Sequence, residues 1–113
     1  MKKVIENGNT MVLVKGDYGG GWSTWNKDFP ECVFDPVVVD LVRQYEAGTI
    51  SDVQFMDAVY DHCTKTYGDR FYATADITSL CVVPVPVGSR FVIQEYDGLE
   101  ALIREDDMKW VTA

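Results

Sequence analysis

Residues 35–68 constrain the fold most, because two helices with readable ends stand there between stretches of β-like period. Asp35 is placed to N-cap, and Pro36 takes the first helical position, where its missing N–H costs nothing. Val38, Leu41, Val42 and Tyr45 then recur at helical spacing, and Gly48 follows as a stop. Ser51 and Gln54 make a capping box, after which Phe55, Met56, Val59, Cys63 and Tyr67 form an apolar stripe ending at Gly68. The short link between Gly48 and Ser51 implies a helical hairpin. Its exposed sides would carry Asp40, Glu46, Asp52, Asp57 and Asp61, with Lys65 four residues after Asp61 as partial counter-charge.

The flanks read as strands. Runs at 4–6 and 11–14 are rich in β-branched residues and are separated by Asn7-Gly8-Asn9-Thr10, which predicts an opening hairpin. Residues 28–34, with Pro30, form an irregular connection into the helices. Segment 81–87 is apolar but holds Pro84 and Pro86, so it suits an edge strand or a bent lead-in rather than a central strand. Runs at 90–96 and 99–104 flank Asp97-Gly98, a strong hairpin signal, and 108–112 reads as a last strand after the acidic turn 105–107. Together these predict an α+β fold. A mainly antiparallel β-sheet from the N- and C-terminal hairpins packs against the central helical hairpin, with both chain ends meeting in one sheet.

With 113 residues and 47% hydrophobic content, one domain spanning 1–113 can bury a core without metals or disulfides. No apolar run approaches the roughly 20 residues that cross a bilayer, and Met1-Lys2-Lys3 precedes no signal-like segment, so a cytoplasmic protein with no membrane partner is expected. Cys32, Cys63 and Cys81 are odd in number, lie in apolar surroundings and show no C-x-x-C spacing, which suits reduced, buried thiols. A formal charge of −8 with scattered basic residues argues against direct nucleic-acid binding. The same acidity either keeps the chain soluble or steers it to a basic protein surface.

Residues 16–26 concentrate three consecutive glycines, Gly19, Gly20 and Gly21, with Tyr18, Trp22, Ser23, Thr24, Trp25 and Asn26. From Gly16 to Ser23 the spacing nearly fits the phosphate-loop pattern, but Trp22 stands where a lysine would meet phosphate. The glycines then serve a tight turn, close approach of a ligand, or loop motion. Each tryptophan is either a core plug or a binding anchor. Residues 18–26 are therefore the candidate binding segment.

In the C-terminal hairpin a two-residue turn sets Glu95 opposite Glu100. Facing carboxylates repel, so the pair is expected to splay into solvent, recruit a cationic side chain, or share a cation. Splaying places Glu95 and Glu100 on a secondary acidic surface with Asp40, Glu46, Asp57 and Asp61. No Asx-rich loop or histidine cluster marks a metal site, and no cofactor is implied. His62 and Cys63 are adjacent on one helix and do not face each other, no G-x-S-x-G elbow occurs, and no catalytic residue stands out.

The run Gly16-Asp17-Tyr18-Gly19-Gly20-Gly21-Trp22-Ser23-Thr24-Trp25-Asn26, with Phe91-Val92-Ile93-Gln94-Glu95-Tyr96-Asp97-Gly98-Leu99-Glu100 and the terminal Trp110-Val111-Thr112-Ala113, resembles small, mostly uncharacterised proteins of tailed bacteriophages and prophages. The similarity spans both ends and is weaker in the helical middle. It implies an accessory phage product that engages host machinery or counters a host defence, and it carries no catalytic residues to this chain. The leading expectation is a non-catalytic protein that binds a host or phage protein through the Gly-Trp segment, the acidic face, or both. Alternatives are a small-molecule binder that sequesters a nucleotide-like signal, with Lys15, Lys27 or Arg90 supplying local charge, and an enzyme with an unrecognised site.

Overall fold

The computed structural model describes residues 1–73 and 76–113, and the α+β class holds. Strands β1 (Ile5–Glu6), β2 (Asn9–Lys15) and β3 (Leu80–Pro86) form an antiparallel sheet in the order β1-β2-β3. Helices α1 (Pro36–Glu46) and α2 (Asp52–Tyr67) follow β2 in sequence, and β4 (Phe91–Tyr96) pairs with β5 (Leu99–Arg104) as a separate two-stranded sheet.

Both helices end where the local chemistry directs. Asp35 accepts hydrogen bonds from the N–H groups of Val37 and Val38, and the Ser51–Gln54 capping box is complete. The aromatic rings of Tyr45 and Phe55 stack 4.8 Å apart across the helical hairpin. Asn7 and Gly8, and likewise Asp97 and Gly98, have positive φ, the requirement of the tight turn that matches strand twist.

Alternation along β2 divides the interior in two. Met11 and Leu13 face the helices and join Val38, Val39, Val42, Phe55 and Val59 in the larger core. Val12, on the opposite face, packs with Val85, Val33, Phe91, Ile93 and Leu102 in a second core beneath the β4–β5 hairpin. Each fully buried side chain of this kind contributes about 1.5–3 kcal/mol, so the three-stranded sheet is stabilised from both sides.

Two expectations about the strands need correction. The C-terminal hairpin does not extend the first sheet; it lies across that sheet's other face. β3 takes the edge, as its prolines require, and Pro84 and Pro86 lack the N–H groups that a further strand would need. At the other edge β1 is two residues long and offers little ladder. Residues 108–112 are not a strand. Glu105–Asp107 form a 3₁₀ turn held by Arg104, whose guanidinium donates to Asp107 at 2.8 and 3.1 Å, and the chain then leaves the sheet with Trp110 and Val111 exposed. A short apolar run becomes a strand only beside an edge that takes its backbone bonds.

Candidate functional site

The Gly-Trp segment is organised around one buried side chain from the far end of the chain. Glu100 is 6% exposed, and its carboxylate accepts hydrogen bonds from the backbone N–H groups of Lys15 (2.8 Å), Trp22 (2.9 Å) and Thr24 (3.2 Å). The Thr24 hydroxyl donates to the same oxygen as Trp22 at 2.5 Å. Backbone N–H groups from separate points of the loop, at 15, 22 and 24, converge on one anion in the manner of a nest. The near-fit to a phosphate loop thus has a structural counterpart, but the anion in the cradle is the chain's own carboxylate.

The glycines make that cradle possible. A Cβ on Gly21 would stand 2.2 Å from the Thr24 hydroxyl oxygen and 3.1 Å from a Glu100 carboxylate oxygen. At the hairpin tip, a Cβ on Gly98 would lie 2.0 Å from the Gly20 nitrogen, so two backbones meet there with no room for side chains. The Gly19 N–H donates to the Asp97 carbonyl at 2.8 Å and fastens the loop to the turn.

Glu100 therefore leaves the expected acidic surface. The register does set it opposite Glu95, but the repulsion is relieved differently from the three expected routes. One carboxylate enters the N–H cradle, while the other stays exposed and accepts the Gly98 N–H at 3.3 Å. Asp40, Glu46, Asp57 and Asp61 remain exposed, with Lys65 bridging Asp61 at 2.9 Å.

The two tryptophans have opposite placements. Trp22 is fully buried, its indole N–H donates to the Cys32 carbonyl at 2.9 Å, and its ring meets Phe71 edge-on at 5.2 Å. It is a core plug and offers no surface to a partner. Trp25 is 44% exposed and lies 5.5 Å from the ring of Tyr72, itself 44% exposed. Buried Asn26 holds this pair together. Its amide donates to the carbonyls of Trp22 (2.8 Å) and Tyr72 (2.9 Å), and its oxygen accepts the Tyr72 N–H at 2.7 Å. Asn26 is thus a clip rather than a contact residue. Gly20 and Gly21 are likewise buried, whereas Tyr18 is exposed and Ser23 and Thr24 are half-buried.

Beside the ring pair lies an open cavity of about 260 Å³ lined by Trp25, Lys27, Asp28, Phe29 and Arg70. Arg70 and Asp28 bridge at 2.5 Å across it. Lys15 adds no charge here, because it is fully buried with its ammonium donating to the carbonyls of Asp17 and Tyr18 at 3.2 and 3.3 Å.

A second polar centre joins the helices. Asp35 is fully buried, and besides capping α1 it accepts the Tyr67 hydroxyl at 2.6 Å and meets His62 Nε2 at 2.8 Å. His62 Nδ1 lies 3.4 Å from the Thr66 hydroxyl. Burial, reinforced by the bond to Asp35, pushes the Tyr67 hydroxyl far above its ordinary value. Burial also raises the Cys32 thiol strongly and pushes Cys63 up to about 12. A thiol so protonated at neutral pH is no nucleophile. Cys81, expected to be buried, is half-buried, and its thiol faces the Val14 carbonyl at 3.4 Å.

Sequence reasoning missed Glu100 as a loop anchor, Asn26 as a clip, and the partners of Asp35 on α2. The one signal for Glu100 was the improbable facing of two carboxylates. Among the described residues no set of three His, Cys, Asp or Glu side chains converges to hold a metal. No helix is long and apolar enough to cross a membrane. No protein-family model matches the chain, and no solved structure matches it.

Proposed function

We propose that this protein is a non-catalytic accessory protein of phage type that binds a host or phage protein in the host cytoplasm, with the Trp25–Tyr72 pair as its anchor. The observation that carries this reading is the ring pair itself. Two large aromatic side chains stand 44% exposed while a buried asparagine fixes the backbone beneath both, so the contact surface is preorganised. Lys27, Arg70 and Asp28 give it a polar rim, and the exposed Asp40, Asp57 and Asp61 add a field suited to a basic partner. The resemblance to phage proteins supports a role in host takeover or anti-defence.

Affinity capture from infected-cell lysate tests the proposal. A specific partner should be retained by the native protein and lost on Trp25→Ala. A partner held equally by Trp25→Ala, and at high salt, would remove this surface from consideration.

Sequestration of a nucleotide-like ligand is a second reading, favoured by the cavity beside Trp25 with Lys27 and Arg70 on its wall. It loses its phosphate site, because the backbone N–H groups of Trp22 and Thr24 already serve Glu100. A thermal-shift panel of nucleotides tests it, and a flat response would discard it.

A further inference from the structure

Among the described residues nothing hydrogen-bonds to the outer edge of the β4–β5 hairpin, although the 3₁₀ turn Ser23–Trp25 lies near it. Tyr96 and Leu99 flank a two-residue turn in which Asp97 has φ 49° and Gly98 φ 91°, so they form the closing hydrogen-bonded pair. Bonded pairs then alternate back along the ladder through Gln94 with Ala101 and Val92 with Ile103, and the Glu105 N–H donates to the Arg90 carbonyl at 2.8 Å in the same phase. The N–H and C=O groups of Phe91, Ile93 and Glu95 therefore point away from β5. Among the described residues none of them takes a hydrogen bond from elsewhere.

Such an edge is a template for strand addition. The contrast with β3 is direct, since that edge is blunted by Pro84 and Pro86 while β4 contains no proline. Beside the open edge runs a groove of about 290 Å³, with Pro30, Val33, Phe91 and Ile93 on its wall and Lys27 at its side. Strand addition draws affinity from main-chain bonds and specificity from pockets for alternate side chains, and both elements are present here.

We propose that β4 pairs antiparallel with β4 of a second copy of this chain, with Ile93 on the two-fold axis. In an antiparallel pair, opposed residues share a face, and only a register centred on Ile93 engages Phe91, Ile93 and Glu95 of both chains. Phe91 then stands opposite Glu95 of the second copy. Arg90, whose side chain is 83% exposed and bridges Glu105 of its own chain at 3.5 Å, stands opposite the exposed ring of Tyr96, next to Asp97. A cation thus meets an aromatic face and a carboxylate at each end, while the carboxylates of the two Glu95 residues stay apart. This local self-complementarity favours a second copy over a foreign strand, and it acts against the mutual repulsion of two chains of charge −8.

Sedimentation equilibrium with amide hydrogen exchange on the full chain tests the pairing. A concentration-dependent dimer is expected. The amides of Phe91, Ile93 and Glu95 should be protected in concentrated samples and exchange freely in dilute ones, while those of Val92, Gln94 and Tyr96 stay protected in both. Glu95→Pro removes an outward N–H, and with it the carboxylate that accepts the Gly98 N–H, but leaves the backbone bonds between β4 and β5; it should raise the dimer Kd by about tenfold or more, as should Arg90→Glu. A monomer at every concentration overturns the proposal, and so does a dimer in which those three amides still exchange freely. Should Glu95→Pro fail to fold, exchange in the native chain and the Arg90→Glu response decide the matter.

Discussion

Asp35 and Glu100 are both carboxylates buried without a Lys or Arg partner, yet they are held in different ways. Asp35 is anchored locally by N–H groups two and three residues ahead, and two side chains from α2 then close over it. Glu100 has no local donor. Its bonds come from Lys15, Trp22 and Thr24, more than 75 residues earlier in the chain. Asp35 finishes a helix that would start there in any case, whereas Glu100 creates the conformation of the loop that surrounds it.

Replacement of Glu100 should therefore have the largest effect. Glu100→Ala strands three backbone N–H groups and a hydroxyl in the interior, at a cost of about 3–5 kcal/mol in urea unfolding. Glu100→Gln turns an amide N–H₂ towards donors and should still cost about 2–3 kcal/mol. If Gln were tolerated as well as Glu, shape rather than charge would hold the loop, and the contrast with Asp35 would collapse.

At Asp35 the expectation differs by substitution. Asp35→Ala should cost about 2–4 kcal/mol, but Asp35→Asn keeps a good N-cap and should lose only about 1–2 kcal/mol, since the weakened bonds are those to His62 and Tyr67. Equal losses for Asn and Ala would show that the links to α2, not the cap, carry the site.

Alkaline pH acts on both regions. Folding favours the protonated Cys63 thiol, whose value rises from 9.0 to about 12, so its contribution is whole below pH 9 and is lost as the pH climbs towards about 12. Tyr67 shifts in the same direction. The melting temperature should fall across that range, and Cys63→Ala should flatten only part of the fall, because the Cys32 thiol beside Trp22 is raised in the same way.

The smallest effect belongs to Trp25→Ala, which should change stability by less than about 1 kcal/mol, because the ring is exposed and Asn26 bonds backbone rather than the indole. A larger loss would move Trp25 from the contact surface to the framework of the loop.

What the sequence disclosed follows the same division between near and far. Asp35 with Pro36, Ser51 with Gln54, and the Asn7-Gly8 and Asp97-Gly98 turns all act within a few residues, and each stands where its chemistry put it. Pro84 and Pro86 marked β3 as an edge because a missing N–H is a property of the residue alone. Two separate sheets, a C-terminal tail that finds no strand, and a glutamate in a backbone cradle depend on which distant segments meet. Tyr72 belongs to that class too, since its exposure beside Trp25 is set by Asn26 across 46 positions. The candidate segment 18–26 was visible as a composition, but its division into buried Trp22 and exposed Trp25 was not.

The Glu100 cradle also sets an order of events during synthesis. Residues 15–24 emerge from the ribosome long before the glutamate that organises them, so the helical hairpin can form while Trp22 still lacks its final seat. The loop at 15–24 closes only when the β4–β5 hairpin arrives, which makes position 100 its latch. A nascent chain cut short before it would present an open anion nest and an unburied indole, the kind of surface that chaperones bind.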